Sequence, residues 1–198
     1  MYRSFIISLL AILAVGVAQA QHSAPEVVGC VAEYVKKLGS YEVKFVINAS
    51  EYLAEGSYLV AGDDYHIRLP QAEVYSDGEI RYEIDHERKE VNVDVVDLTS
   101  RNVLDNPTRC FDFVGEGYDV TIAEKSEHKV VLRIVATDDA FEGEIYLSAD
   151  AKGKPMELMY KLYEDTIKVE IKSIATHKAK LPTFTKSAYK DYDIIDFR

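Results

Sequence analysis

The chain has 198 residues, a formal net charge of −11 and no tryptophan. A chain of this length can bury a sizeable core as one domain. Its acidity and the lack of any basic run exclude nucleic acid as a partner, because phosphate backbones repel an acidic surface.

Residues 1–20 are typical of a secretory signal peptide. Arg3 supplies the positive start, residues 5–17 form an apolar run, and residues 18–20 form an A-x-A cleavage site. A membrane anchor is the alternative, but a run of about 13 residues is shorter than the roughly 20 that span a bilayer. We therefore expect cleavage, export and a single domain over residues 21–198, with a formal charge of −12 once Arg3 is lost (−11 − 1).

Two cysteines in an exported chain raise the question of a disulfide. A bridge between Cys30 and Cys110 would close a loop of about 80 residues, which is worth roughly 4–5 kcal/mol in the ideal chain-entropy description. The alternative is two buried, unpaired thiols that pack as small apolar groups. The sequence leaves both open.

Residues 25–38 show the spacing of an amphipathic helix. Pro25 suits its first turn, and Gly39 suits its end. Apolar side chains recur every three to four residues, at Val27, Val28, Val31, Tyr34, Val35 and Leu38.

After Gly39 the apolar period changes to two, which is typical of β-strands. Asp77-Gly78 is a strong hairpin signal because a type I′ turn needs positive φ, and Ile80, Tyr82 and Ile84 then share one face. Similar short segments continue to residue 171. We expect about eleven strands, antiparallel because tight turns join them.

A short central helix is predicted at Asn106-Pro107. Asn is a good helix cap and Pro fits the first turn. Cys110, Phe111 and Val114 would form its apolar side, and Gly115 would end it.

The predicted sheet has one apolar face along nearly its whole length, so it must curl around something. A second sheet, the far edge of the same sheet or a covering helix could each bury this face. Only two short helices are predicted, and an incomplete cover would leave an apolar groove.

Four segments in this order resemble the bacterial outer-membrane lipoprotein carriers, the LolA-like family. An amphipathic helix leads into SYEVKFVI, and the hairpin VYSDGEIRYEID is followed by KEVNVDVV. NPTRCFDF is similar to the family's N-P helix, and FTKSAYKDYDIIDFR to its closing segment. The resemblance covers nearly all of the chain after the signal peptide.

The resemblance implies a mainly β (α+β) fold, an unclosed antiparallel half-barrel with the N-terminal and central helices over its concave face. It also implies a periplasmic, monomeric carrier that shields the acyl chains of a lipoprotein or another lipid. An inner-membrane donor and an outer-membrane acceptor would be its partners. The chain departs from the family at Gly62-Asp63-Asp64, where many carriers have an Arg-Pro pair.

Two groups of residues are candidates for the site. The predicted cavity liners are Tyr41, Phe45, Tyr65, Ile67, Tyr82, Ile84, Val91, Val93, Leu158, Tyr160, Val169 and Ile171. The predicted lid residues are Val31, Tyr34, Leu38, Phe111 and Phe113.

No catalytic or metal-binding motif accompanies these groups in the sequence. There is no G-x-S-x-G or H-E-x-x-H, and the five histidines lack metal-ligand spacing. We expect no cofactor, no metal and no enzymatic activity. The alternatives are a lipid-binding sensor or scaffold without transport, and a hydrolase that uses the same cavity.

Overall fold

The computed structural model describes residues 23–50, 52–137 and 143–198. The predicted signal peptide lies outside these ranges. The helix is α1, Ala24–Leu38, and a 3₁₀ turn covers Lys186–Tyr189. The strands are β1 Tyr41–Ala49, β2 Tyr52–Ala61, β3 Asp64–Arg68, β4 Ala72–Ser76, β5 Ile80–Asp85, β6 Glu90–Val95, β7 Tyr118–Lys125, β8 Val130–Ala136, β9 Glu144–Ala149, β10 Pro155–Leu162, β11 Asp165–Thr176 and β12 Asp193–Asp196.

All twelve strands belong to one sheet, in the order β12-β6-β5-β4-β3-β2-β1-β11-β10-β9-β8-β7. Neighbours are antiparallel except for β12, which runs parallel to β6. The sheet is unclosed and ends at β12 and β7. This confirms the predicted mainly β, open antiparallel architecture with an N-terminal helix.

Helix α1 begins and ends as the sequence predicts. The Glu26 carboxylate accepts the Ser23 N–H at 2.6 Å, and Gly39 follows the last turn with φ of +67°. Its apolar face is buried against the sheet. A Cβ built on Gly153 would lie 2.5 Å from the Cys30 carbonyl oxygen, so the helix backbone rests directly on the β9–β10 turn.

The predicted central helix is wrong, because residues 96–114 form a chain of turns that we call the lid loop. The backbone forms separate single turns there: the Arg109 N–H donates to the Asn106 carbonyl at 3.1 Å, and the Asp112 N–H donates to the Arg109 carbonyl at 2.9 Å. The Asn106 Oδ1 accepts the N–H of Thr108 as a helix cap would. Its Nδ2 donates to the Asp97 carbonyl at 3.1 Å and so joins the turn to the start of the lid loop.

The C-terminal segment of residues 182–198, which we call the strap, packs Phe184, Tyr189 and Tyr192 on the outer face of the sheet before it ends in β12. Phe184 stacks on Tyr82 with ring centroids 4.1 Å apart. At the end of the strap, β12 extends the sheet beyond β6, with the Phe197 N–H donating to the Val93 carbonyl at 2.9 Å. The two sides of the sheet therefore have different covers: α1 and the lid loop inside, the strap outside.

Within the ranges that the structure describes, no helix combines the length and apolar character needed to cross a bilayer.

Candidate functional site

The concave side of the sheet, which we call the inner face, brings most of the predicted cavity liners together. The register pairs Tyr41 with Val60 and Val60 with Tyr65, so that these side chains share one face. The liners buried in this cluster are Tyr41, Phe45, Tyr65, Ile67, Leu158, Tyr160 and Val169, with Ile171 packed at its margin. Their contact with a ligand stays a prediction.

Four predicted liners lie on the opposite side of the sheet. Tyr82 pairs with Tyr75 across β4–β5, whereas the inner-face residue Ile67 pairs with Val74. Adjacent residues of a strand point to opposite faces, so Tyr75 and Tyr82 point outward. The prediction that Tyr82, Ile84, Val91 and Val93 line the inner face is therefore wrong; they form a separate outer cluster beneath the strap.

All five predicted lid residues contribute to the inner-face cover. Val31, Phe111 and Phe113 are buried in the inner cluster, and Tyr34 and Leu38 pack at its edge. The two phenylalanines reach it from the lid loop rather than from a helix.

Two buried tyrosines of the sheet fasten the lid loop through its backbone. The Tyr160 hydroxyl accepts the Val103 N–H and donates to the Arg101 carbonyl, both at 3.1 Å. The Tyr65 hydroxyl donates to the Asp105 carbonyl at 2.9 Å. The alternation along their strands predicted that Tyr65 and Tyr160 point inward. Their hydrogen-bond partners depend on how the lid loop folds, so no pattern in the sequence indicates them.

The structure does not join the two cysteines. Cys30 is exposed on α1, whereas Cys110 is fully buried beneath the lid loop. The Cys110 Sγ donates to the Pro107 carbonyl at 3.3 Å and lies 3.7 Å from the Tyr58 hydroxyl. Burial raises the pKa of the Cys110 thiol to about 12, so this group is a neutral, protected thiol while the loop is closed.

The open apolar groove predicted from the sequence is filled in this structure. Val103, Phe111 and Phe113 of the lid loop pack directly on the inner face. A cavity of about 120 Å³ lies between α1, the lid loop and β7, with an apolar lining that includes Val28, Phe113 and Val120. That space holds about four water molecules at ~30 Å³ each, so a long acyl chain would enter only if the cover moved.

Three larger concavities are of about 470, 450 and 290 Å³, and charged side chains border each of them. The third lies between α1 and the lid loop, and its lining includes Val35 and Phe111. The first includes Lys44, Glu55 and Arg68, and the second includes Lys168 and Glu170. These side chains alternate with inner-face residues along their strands, so they belong to the outer face. Each of these two also includes one predicted liner, Phe45 in the first and Ile171 in the second.

The outer cluster contains a buried polar group. His66 is almost fully buried and stacks on Tyr75 with centroids 4.5 Å apart. Its Nε2 lies 3.7 Å from the Glu73 carboxylate, which also accepts the hydroxyls of Tyr75 and of Tyr189 from the strap. Burial lowers the pKa of His66, an effect that outweighs the attraction of Glu73.

In residues 23–50, 52–137 and 143–198, no group of three or more His, Cys, Asp or Glu side chains is placed to hold a metal ion. The inner face instead offers apolar surface and tyrosine hydroxyls. That arrangement can bind apolar groups.

No protein-family model and no curated protein sequence matches the chain. A crystal structure of an uncharacterised conserved protein from Thermus thermophilus has a TM-score of 0.53 at 8% identity, covering 87% of this chain and 98% of that one. A LolA superfamily protein from Nitrosomonas europaea gives 0.44 at 9% identity, covering 81% and 96%. The MucA/MucB complex structure from Pseudomonas aeruginosa gives 0.40 at 17% identity, covering 80% of this chain and 58% of that chain.

At these identities the comparisons bear on the fold alone. The likeness to the Thermus protein spans almost all of both chains. Together with the open twelve-stranded sheet and its helical cover, it confirms the fold predicted from the sequence. The chain has an unclosed antiparallel half-barrel fold that it shares with the Thermus protein.

Proposed function

We propose that this chain is an exported carrier that binds the acyl chains of a lipoprotein, or of another lipid, on its inner face. The observation that carries the proposal is the construction of the cover. From β1 to β4 and from β8 to β11 the inner face is apolar, whereas the lid loop that closes it has no regular structure and is held by a few tyrosine hydroxyls. Such a cover can separate from the sheet without breaking any strand pairing.

The energetics favour an exchange of lid side chains for ligand carbons. Each methylene removed from water contributes about 0.8 kcal/mol. Lifting the lid loop uncovers Val103, Phe111 and Phe113, and an acyl chain would replace their contacts with the sheet. The apolar contacts that the acyl chain gains offset the apolar contacts that the lid side chains lose. Binding therefore stays reversible, as delivery to an acceptor requires.

The direction of delivery rests on the sequence resemblance. The apparent signal peptide and the LolA-like segments support a periplasmic carrier that receives its cargo at the inner membrane and delivers it toward the outer membrane. The absence of a catalytic motif from the sequence supports a carrier rather than a hydrolase.

Native mass spectrometry of the exported chain tests the proposal with a synthetic palmitoylated peptide as the probe. We expect one-to-one uptake of the palmitoylated peptide and none of the same peptide without its acyl chain. The bound peptide should keep its mass, whereas a hydrolase would release the deacylated form. Transfer of the bound peptide to acceptor vesicles would distinguish a carrier from a sensor that only captures it.

Tyr160→Phe tests the hydrogen bonds that hold the lid loop to the sheet. It keeps the ring but removes both hydrogen bonds to the lid loop, so uptake should be about tenfold faster for a loss near 1.4 kcal/mol. Tyr146→Phe is the matched control, because that hydroxyl bonds Glu144 away from the lid loop. A bare mass with every acyl probe, or uptake at one rate in all three proteins, would contradict the proposal.

A further inference from the structure

Helix α1 and the lid loop meet along a border that we call the seam. Val28 and Phe113 lie at one end of the seam, and Val35 and Phe111 lie at the other. Val28 and Val35 are separated by about 10 Å along the helix. A concavity lies at each of these ends. The two parts of the inner cover are therefore incompletely packed against each other at both ends of the seam.

The hydrogen bonds of the lid loop tie it to the sheet and to itself. Its backbone bonds to the hydroxyls of Tyr65 and Tyr160, and the Val96 N–H donates to the Glu79 carbonyl at 2.9 Å. Every other hydrogen bond and ion pair described for residues 96–114 goes to the sheet or stays within the loop. Parting α1 from the loop therefore breaks apolar contacts but none of these bonds.

The end of the seam beside β7 is apolar. Its cavity of about 120 Å³ is lined by Val28 of α1, Phe113 of the lid loop and Val120 of β7. Apolar cavities of this order of size take apolar guests in preference to water. This end of the seam therefore suits the methyl end of an acyl chain, which carries no polar group.

The other end of the seam is charged. Its concavity of about 290 Å³ is bordered by two cations and two anions, namely Lys36, Arg109, Asp63 and Asp112. Arg109 and Asp112 neutralise each other, with 3.1 Å between Nη2 and Oδ2. In the described part of the chain, neither Lys36 of α1 nor Asp63 of the β2–β3 turn takes part in an ion pair. One cation and one anion are therefore available to a ligand, on two walls built by different elements.

We propose that the seam binds a lipid whose head group carries both a cation and an anion, as a phosphocholine or phosphoethanolamine head does. The methyl end of the acyl chain lies in the cavity beside β7, the phosphate lies toward Lys36, and the ammonium group lies toward Asp63. An anionic head would attract only Lys36 and would be repelled by Asp63 and by the acidic chain as a whole. The inference rests on the function proposed above, since it assigns a direction and a head group to the ligand beneath the lid loop.

Three lipids with the same palmitoyl chain and different heads test the inference on the full exported chain. Monopalmitoyl glycerophosphocholine carries both charges, monopalmitoyl glycerophosphate is anionic, and monopalmitoyl glycerol is uncharged. Titration by native mass spectrometry, below the concentration at which each lipid forms micelles, gives the three affinities. We expect the phosphocholine lipid to bind about fivefold more tightly than either of the others, because two exposed charge contacts favour it.

Matched variants assign the two charges and the methyl end. Lys36→Gln and Asp63→Asn should each weaken the phosphocholine lipid about threefold, and Asp63→Asn should strengthen the anionic lipid because it removes a like charge. Lys37→Gln and Asp64→Asn make the same charge changes at neighbouring exposed residues outside the concavity, so they should alter neither affinity. Val120→Phe narrows the apolar cavity and should weaken all three lipids by the same factor.

Failure of this inference differs from failure of the proposed function. Equal binding of the three lipids, or equal effects of the control variants, would overturn the assigned head group and leave an acyl carrier. Uptake of the palmitoylated peptide but of none of the lipids would do the same. Unchanged affinities in Val120→Phe would overturn the position of the methyl end. Uptake of neither the lipids nor the palmitoylated peptide would overturn both the inference and the carrier function.

Discussion

The two faces of the sheet bury apolar residues under covers of different construction. On the inner face, α1 and the lid loop close over a continuous cluster, and buried hydroxyls hold the loop backbone. On the outer face, the strap covers a smaller cluster of β5 and β6 with stacked aromatic rings that stay half-exposed.

The comparison teaches that alternation alone does not determine which side of a strand faces the core. Residues of β1 and β5 alternate equally well, yet the apolar side of β1 faces inward and that of β5 faces outward. The cover decides. The strap comes from the far end of the chain, about 100 residues after β5, and supplies Phe184, Tyr189 and Tyr192 to the outer cluster.

The largest expected difference between the faces is the cost of removing one phenylalanine ring. Phe45 is fully buried against Gly56, so Phe45→Ala should lower the free energy of unfolding by about 3–5 kcal/mol. Phe184 stacks on Tyr82 but is partly exposed, so Phe184→Ala should cost about 1–2 kcal/mol. Urea unfolding measures both losses in the free energy of unfolding. Equal losses would contradict the expectation that the inner cover stabilises the fold more than the outer cover does.

Removal of the strap tests whether the covers are independent. A chain that ends at residue 181 loses contacts worth about 2–3 kcal/mol after the entropy of ordering the strap is offset. It also exposes Ile84, Val91 and the β6 edge, and exposed apolar edges self-associate. We expect oligomers by light scattering while the Cys110 thiol stays protected. A reactive Cys110 in this shortened chain would show that the covers act together.

Acidification should weaken the outer cover through His66. Its pKa is lowered by burial, so below the unfolded value of about 6.5 the unfolded state takes up the proton more readily. Stability is therefore complete above about pH 6.5 and decreases as the pH falls toward the lowered folded value. The groups facing the ring are Glu73, Arg68, Tyr75 and Tyr189.

His66→Phe keeps a ring on Tyr75 and removes the titration. The free energy of unfolding of the unchanged protein should decrease more than that of the variant between pH 7 and pH 5, because only the unchanged protein has the lowered pKa of His66. Chemical denaturation at several pH values measures this difference. Parallel pH profiles for the two proteins would refute the role given to His66.

The smallest expected effects come from single hydroxyls on the two faces. Tyr65→Phe removes one hydrogen bond to the lid loop, and Tyr189→Phe removes those to Glu73 and Tyr75. Each should cost about 1 kcal/mol. Hydrogen exchange should become faster in the lid loop for Tyr65→Phe and in the strap for Tyr189→Phe. Faster exchange in both segments with either variant would remove the distinction between the covers.

The sequence predicted the regular elements well because their periods are local. The spacing of Val27, Val28 and Val31 predicted α1, and the alternation after Gly39 predicted the antiparallel sheet. The lid loop could not be predicted, because its Asn-Pro start also suits a helix, whereas the single turns that it forms are held by Tyr65 and Tyr160 from distant strands. The filled inner face could not be predicted either, since it depends on how that loop folds back.

The central claim is that acyl ligands bind beneath the lid loop. Alkylation of Cys110, followed by peptide mass spectrometry, tests it most directly, with the exposed Cys30 as the reference in the same chain. With a saturating palmitoylated peptide, Cys110 should react at least tenfold faster while Cys30 does not change, and the unacylated peptide should have no effect. Bound palmitoylated peptide with Cys110 still as protected as in the free protein would contradict the claim.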